Sequence, residues 1–195
     1  MTLRKMLTLG SLMALAACGG QATTDKGQLS LALTASSATP VAALATAASS
    51  DNDCGSIQAA NATISAIEAR TLDGLLIAAT PEGGFPVTVD LMSLVKVNPT
   101  TLPSAWLPAG TYDQIVVVIR KVEVTLTSGW KVAVSPPGGG WTAVIGIAPP
   151  FTISAASPKT VTLGFRKDLS FLCNLGEWKF NPKFEHDGKH DAGHH

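Results

Sequence analysis

Over residues 28–34 apolar and polar side chains alternate without a break: Gln28-Leu29-Ser30-Leu31-Ala32-Leu33-Thr34. A period of two places Leu29, Leu31 and Leu33 on one face, as in a strand with one buried side. Residues 115–119 are wholly apolar and β-branched, the pattern of a strand buried on both faces. From Arg120 alternation returns, with Val122, Val124 and Leu126 inward and Lys121, Glu123 and Thr125 outward. Either one strand leaves the core there or two short strands meet near Arg120. Further strands are expected at residues 75–79, 85–97, 130–134, 141–147, 151–154, 159–165 and 177–184, punctuated by Gly and Pro turns. Residues 57–70 are ambiguous. Ile64 and Ile67 stand three apart, as on a helix, whereas Ala60, Ala62, Ile64 and Ala66 alternate, as in a strand, and the surroundings favour the strand. Residues 98–108 read as a proline-punctuated loop containing Trp106, and residues 136–140 as a Pro/Gly loop that no ladder would tolerate. Short strands at regular spacing without a long amphipathic helix predict an all-β fold, a single antiparallel β-sandwich over residues 28–185, with a low-complexity Ala/Ser/Thr insertion at 35–53.

The first residues follow another pattern. Arg4 and Lys5 precede an uncharged, largely apolar stretch at residues 6–17. About a dozen residues cannot span a hydrocarbon core that needs roughly 20, so residues 1–17 read as a signal peptide rather than a permanent span. The stretch ends in Leu15-Ala16-Ala17-Cys18-Gly19, which resembles the lipobox of bacterial lipoproteins. The resemblance implies cleavage before Cys18, a diacylglycerol on its thiol, and anchoring to a membrane. Each buried acyl methylene adds roughly 0.8 kcal/mol, so two or three chains anchor stably where one is marginal. Gly19 in place of an aspartate implies sorting to the outer membrane if the cell is Gram-negative. Residues 18–27, small and polar, suit a flexible tether.

Removing 17 of the 195 residues leaves 178, enough for one domain with a sizeable core. The neutral precursor loses Arg4 and Lys5, which leaves the mature chain near −2, and no basic patch marks a nucleic-acid binder. With Cys18 committed to lipid, Cys54 and Cys173 remain as an even pair in an oxidising compartment and are expected to form a disulfide. The alternative is two buried free thiols.

The run Leu107-Pro108-Ala109-Gly110-Thr111-Tyr112-Asp113-Gln114-Ile115 resembles the signature of an uncharacterised family of bacterial lipoproteins with a prealbumin-like β-sandwich domain. Val89-Asp90-Leu91 and Phe180-Asn181-Pro182-Lys183-Phe184 match further segments of that family, and the resemblance spans roughly residues 28–185. It implies a prealbumin- or immunoglobulin-like sandwich in the envelope and carries no activity. Pro108 and Gly110 shape a turn, and Tyr112 is expected to pack as a corner residue with its hydroxyl bonded to backbone. The chain departs from the family at Ala35-Ser36-Ser37, where an Asp-Ala-Pro is usual. It departs again at Gly164-Phe165-Arg166-Lys167-Asp168, where an acidic pair is usual.

Catalytic constellations are missing from the sequence. All four histidines, His186, His190, His194 and His195, fall in the last ten residues, which removes Ser-His-Asp and Cys-His arrangements from the expected domain. No phosphate loop, nucleophile elbow or zinc-cysteine spacing occurs, and the scattered carboxylates suggest no pair, so the chain reads as a non-enzyme. His186, His190 and His194 are spaced four apart and would share one face of a helix able to hold Zn²⁺, Ni²⁺ or Cu²⁺. Gly188 and Gly193 oppose that helix, and a disordered, solubilising tail at 186–195 is the favoured alternative. Trp106, Trp130 and Trp141 are candidate ligand contacts for a glycan or an envelope protein, against the reading of each as sandwich core. The expected role is therefore a lipid-anchored, non-catalytic binding or scaffolding module, with metal handling and glycan binding as alternatives.

Overall fold

The computed structural model describes residues 25–36, 54–96 and 99–186. Residues 1–17 (expected to be a signal peptide), Cys18, most of the expected tether, residues 37–53 of the expected low-complexity insertion, and His190, His194 and His195 lie outside the described residues. In chain order the strands are β1 (Lys26–Ala35), β2 (Ile57–Thr71), β3 (Leu76–Ala78), β4 (Thr80–Pro81), β5 (Val87–Asp90), β6 (Thr100–Thr101), β7 (Ala105–Pro108) and β8 (Gly110–Leu126). They continue with β9 (Lys131–Val134), β10 (Trp141–Ile153), β11 (Lys159–Phe165), β12 (Phe171–Asn174), β13 (Glu177–Phe180) and β14 (Phe184–His186). Single helical turns α1 (Ser93–Lys96) and α2 (Lys167–Ser170) interrupt them.

The fold is an all-β sandwich. One sheet runs β14-β11-β1-β7-β4, with β6 also on β1; the other runs β10-β8-β2-β3, with β5 on β2 and β9 on β8. Pairing is antiparallel except for β1 with β11, which run parallel from Leu29↔Lys159 to Ala35↔Phe165. Leu29, Leu31 and Leu33 are buried in one core cluster that also holds Ile64, Ile115, Val117 and Ile145 of the other sheet. Burying each such side chain contributes roughly 1.5–3 kcal/mol.

The ambiguous segment is β2, and the cause of its mixed pattern is a β-bulge. Ile64 pairs with Ile119 and Ala66 with Val118, so Ser65 is an extra residue on β2. The bulge shifts the phase, and Ile64 and Ile67 both point inward despite standing three apart. Arg120 is an extra residue on β8, so Ile119 and Val122 are both buried while Arg120 and Lys121 are both exposed. One strand therefore passes through Arg120. Asp113 makes a third bulge, between buried Tyr112 and Ile115, and accepts two hydrogen bonds from Arg70 at 3.1 and 3.0 Å.

Other boundaries move. The expected strand at 85–97 is only β5 followed by α1, because Asp90 caps the strand. Its Oδ1 accepts the Ala60 and Met92 amides at 2.9 and 3.0 Å. The loop expected at 98–108 contains β6 and β7, so Trp106 sits on a strand, opposite Gln28 and Thr80. Residues 177–184 form two strands in different sheets, since Asn181-Pro182-Lys183 turns the chain between β13 and β14. Buried Ser170 fastens that turn, its hydroxyl accepting the Lys183 amide and donating to the Arg166 carbonyl. Lys26 and Gly27, expected in the tether, begin β1, and His186, expected in the tail, ends β14 opposite Leu163.

Two ends of the sandwich can be told apart. At one, Asp25 accepts the Ala109 amide, Lys26 pairs with Pro108, Thr71 with Tyr112, and Ile153 with Gly110. At the other lie Ser36 beside Phe165, and Ser56 beside Thr127. The 17-residue β8 runs between them, about 50 Å at 3.3 Å per residue.

Candidate functional site

At the end far from Asp25, the β12–β13 hairpin forms a small sheet of its own beside β9. Its position follows from two attachments. Cys54, just before β2, is disulfide-bonded to Cys173 on β12, with the Cα atoms 6.0 Å apart. The expected pairing is present, and it closes the sequence separation of 119 residues. The Trp178 indole N–H donates to the Cys54 carbonyl at 3.2 Å, so β13 is held to the same residue. Beneath the hairpin its aromatic residues interlock. Phe171 packs on Phe180 at 4.8 Å and on Trp178 at 6.5 Å between ring centroids, and Phe180 meets Trp141 edge-on at 5.1 Å.

A groove of about 970 Å³ separates the hairpin from β9. One wall is Val132, Ala133, Val134, Ser135 and Pro136; the other is Gly176, Glu177, Trp178, Lys179, Phe180 and Asn181. Every residue of each stretch lines the groove. Side chains on a strand alternate between faces, so an unbroken run marks a strand's edge rather than one of its faces. β9 pairs with β8 and β13 with β12, and in neither case is the groove-side edge part of a ladder. The site thus offers backbone donors and acceptors along two edges, an indole and a phenyl ring for apolar contact, and Glu177 and Lys179 for charge.

The three tryptophans singled out in the sequence do not converge. Trp106 is half-exposed on β7 in the other sheet. Trp130, 75% exposed, tips the β8–β9 turn, where its carbonyl accepts the Leu126 amide. Trp141 is 7% exposed and lies in the groove wall against Phe180. Trp178, which the sequence reading passed over, is the indole whose N–H anchors the hairpin. The available signal was its place in the alternating Glu177-Trp178-Lys179-Phe180, five residues after Cys173.

Among the described residues no three His, Cys, Asp or Glu side chains gather as a metal site, and His186 is a strand residue. Four carboxylates are held in ion pairs: Asp113 with Arg70, Glu123 with Lys121 and Lys131, and Asp168 and Glu185 with Arg166. Arg166 donates to both oxygens of Asp168 and holds that carboxyl below its ordinary range. Where the resembled family carries an acidic pair, this chain has an ion-paired arginine. Among the described residues no helix is long and apolar enough to cross a membrane.

Comparison with curated proteins gave no match, and comparison with solved structures gave none. The model of a family described as a domain of unknown function (DUF4382) matches residues 43–182, which include β2 to β13 and both walls of the groove, and the chain belongs to that family.

Proposed function

We propose that this is an exported, lipid-anchored envelope protein of bacteria whose sandwich binds an extended segment of another envelope protein and does no chemistry on it. The groove between β9 and the β12–β13 hairpin carries the reading, because each wall carries an open strand edge and either one suits the addition of a peptide strand. Main-chain hydrogen bonds along the edges would supply affinity, and the Trp178 and Phe180 rings would select side chains. Export is supported by the Leu15-Ala16-Ala17-Cys18-Gly19 sequence and by the cysteine pairing, since a structural disulfide belongs to an oxidising compartment.

The test is photocrosslinking in living cells from a benzoylphenylalanine placed at Glu177 or Lys179, with Ser128 as the control position. Discrete protein adducts are expected from the groove positions, absent from the control and lost with Trp178→Ala. Adducts identical at all three positions, or none, would overturn the reading. A second reading, glycan binding, is favoured by the two indoles of Trp141 and Trp178 on the groove. Quenching of tryptophan fluorescence by soluble envelope oligosaccharides, with no protein adduct, would select it.

A further inference from the structure

Three of the large hydrophobic residues that stand out in solvent lie together. Leu72, Leu75 and Leu76 are 59%, 63% and 50% exposed, on the tip that joins β2 to β3. The tip is well built. Thr71 accepts the Gly74 amide at 2.9 Å, its hydroxyl accepts the Leu75 amide at 3.1 Å, and its own amide donates to the Leu75 carbonyl at 3.0 Å. Gly74 takes a φ of 88°, which a side-chain-bearing residue rarely adopts. A defined turn that exposes three leucines is an apolar feature of the kind found at protein and membrane contacts.

Its place in the fold decides between the two. Thr71 pairs with Tyr112, the Tyr112 hydroxyl reaches Pro108, and Ala109 donates to Asp25. The leucine tip therefore stands at the same end of the sandwich as Asp25. Six residues, Gly19 to Thr24, separate Asp25 from Cys18. Even fully extended, the seven steps from Cys18 to Asp25 reach only about 25 Å. If Cys18 carries lipid, this end cannot leave the neighbourhood of the bilayer. The adjoining turn, Ser154-Ala155-Ala156-Ser157-Pro158, is uncharged and largely exposed. Lys26 and Lys159 at this end are offset by Asp25 and Asp73, so attraction to the surface would come from the leucines rather than from net charge. A soluble partner for the tip would have to fit into the narrow space between domain and membrane; the membrane itself is already there.

We infer that the tip inserts Leu72, Leu75 and Leu76 into the bilayer interface, so that the sandwich stands on its Asp25 end and presents the groove on the side away from the membrane. The inference rests on lipidation of Cys18 and concerns the posture that the anchored domain adopts. Posture matters for function, because a groove held about 50 Å out along β8 is open to partners that a domain lying flat would bury.

The experiment uses the full lipidated chain in phosphatidylethanolamine/phosphatidylglycerol vesicles, with an environment-sensitive fluorophore on Leu75→Cys or, as the far-end control, on Ser128→Cys. Bromine on the upper acyl chains is expected to quench the Leu75 probe at least twofold more than the Ser128 probe. Replacing Leu72 and Leu76 with serine should bring the two probes together. Equal quenching in the parent chain, with the protein floating with the vesicles, overturns the posture and leaves anchoring intact. Failure of the parent chain to float overturns the anchor, and the posture with it.

Discussion

The Tyr112 hydroxyl donates to the Pro108 carbonyl oxygen at 2.8 Å, tying the middle of the Leu107-Pro108-Ala109-Gly110-Thr111-Tyr112 motif back on itself. Tyr112 is 1% exposed, stacks on Phe151 at 5.5 Å, and is the only tyrosine in the chain. Tyr112→Phe keeps the ring and removes the donor to the half-buried Pro108 carbonyl. A loss of about 1–2 kcal/mol is expected, read by urea denaturation.

Burial also raises the Tyr112 hydroxyl above its ordinary pKa of 10.0. The folded state then holds its proton more tightly than the unfolded chain does. This contribution is fully present below about pH 10 and is lost as pH rises through the folded value. The stability gap between the parent and Tyr112→Phe should therefore narrow in alkali. A gap that stays constant to pH 11 would contradict the buried corner.

Breaking the Cys54–Cys173 bond by replacing both cysteines with serine should cost about 2–5 kcal/mol, since it frees a very long loop in the unfolded chain. The structural consequence is local. Amide hydrogen exchange should accelerate most over residues 171–180, because the covalent link to the chain just before β2 is gone and the hairpin relies there on the Trp178 indole bond to the carbonyl of residue 54 and on the ring contacts. Uniform acceleration across both sheets would contradict the stapled-hairpin picture.

Gly27 lies on β1 where a Cβ would run into the Ser154 backbone and the Ile153 side chain. Gly27→Ala should force the two sheets apart at this end and cost roughly 1–3 kcal/mol. Gly146 on β10 has open space around it, so Gly146→Ala should be neutral or slightly stabilising. Thermal melts of the two variants give the comparison.

The proposed lipid anchor predicts a covalent product. In cells fed an alkyne-tagged fatty acid, the mature chain should begin at Cys18 and carry the tag, and Cys18→Ser should abolish both cleavage and label. An unlabelled wild-type chain would end the lipoprotein reading.

Much of this molecule is written locally. Strict alternation placed β1 and its three buried leucines, and the limits of β11 at Lys159 and Phe165 follow from the turns that bracket it. Cysteine parity anticipated the Cys54–Cys173 pair, and the proline–glycine turn before Tyr112 anticipated the corner. These features depend on the period of a strand, on counting thiols and on backbone restriction, all of which are properties of neighbouring residues. The bulges at Ser65, Asp113 and Arg120 were not legible in the same way, because an extra residue exists only relative to a partner strand. Seen without the partner, the three-residue step from Ile64 to Ile67 imitates a helix. The groove and the leucine tip are further still from the sequence. Trp178 meets Cys54 across 124 positions, and Thr71 faces Tyr112 across a sheet. Local propensity fixes which side of a strand is apolar; only the closure of the sandwich decides which edges stay open and which end carries both the leucines and Asp25.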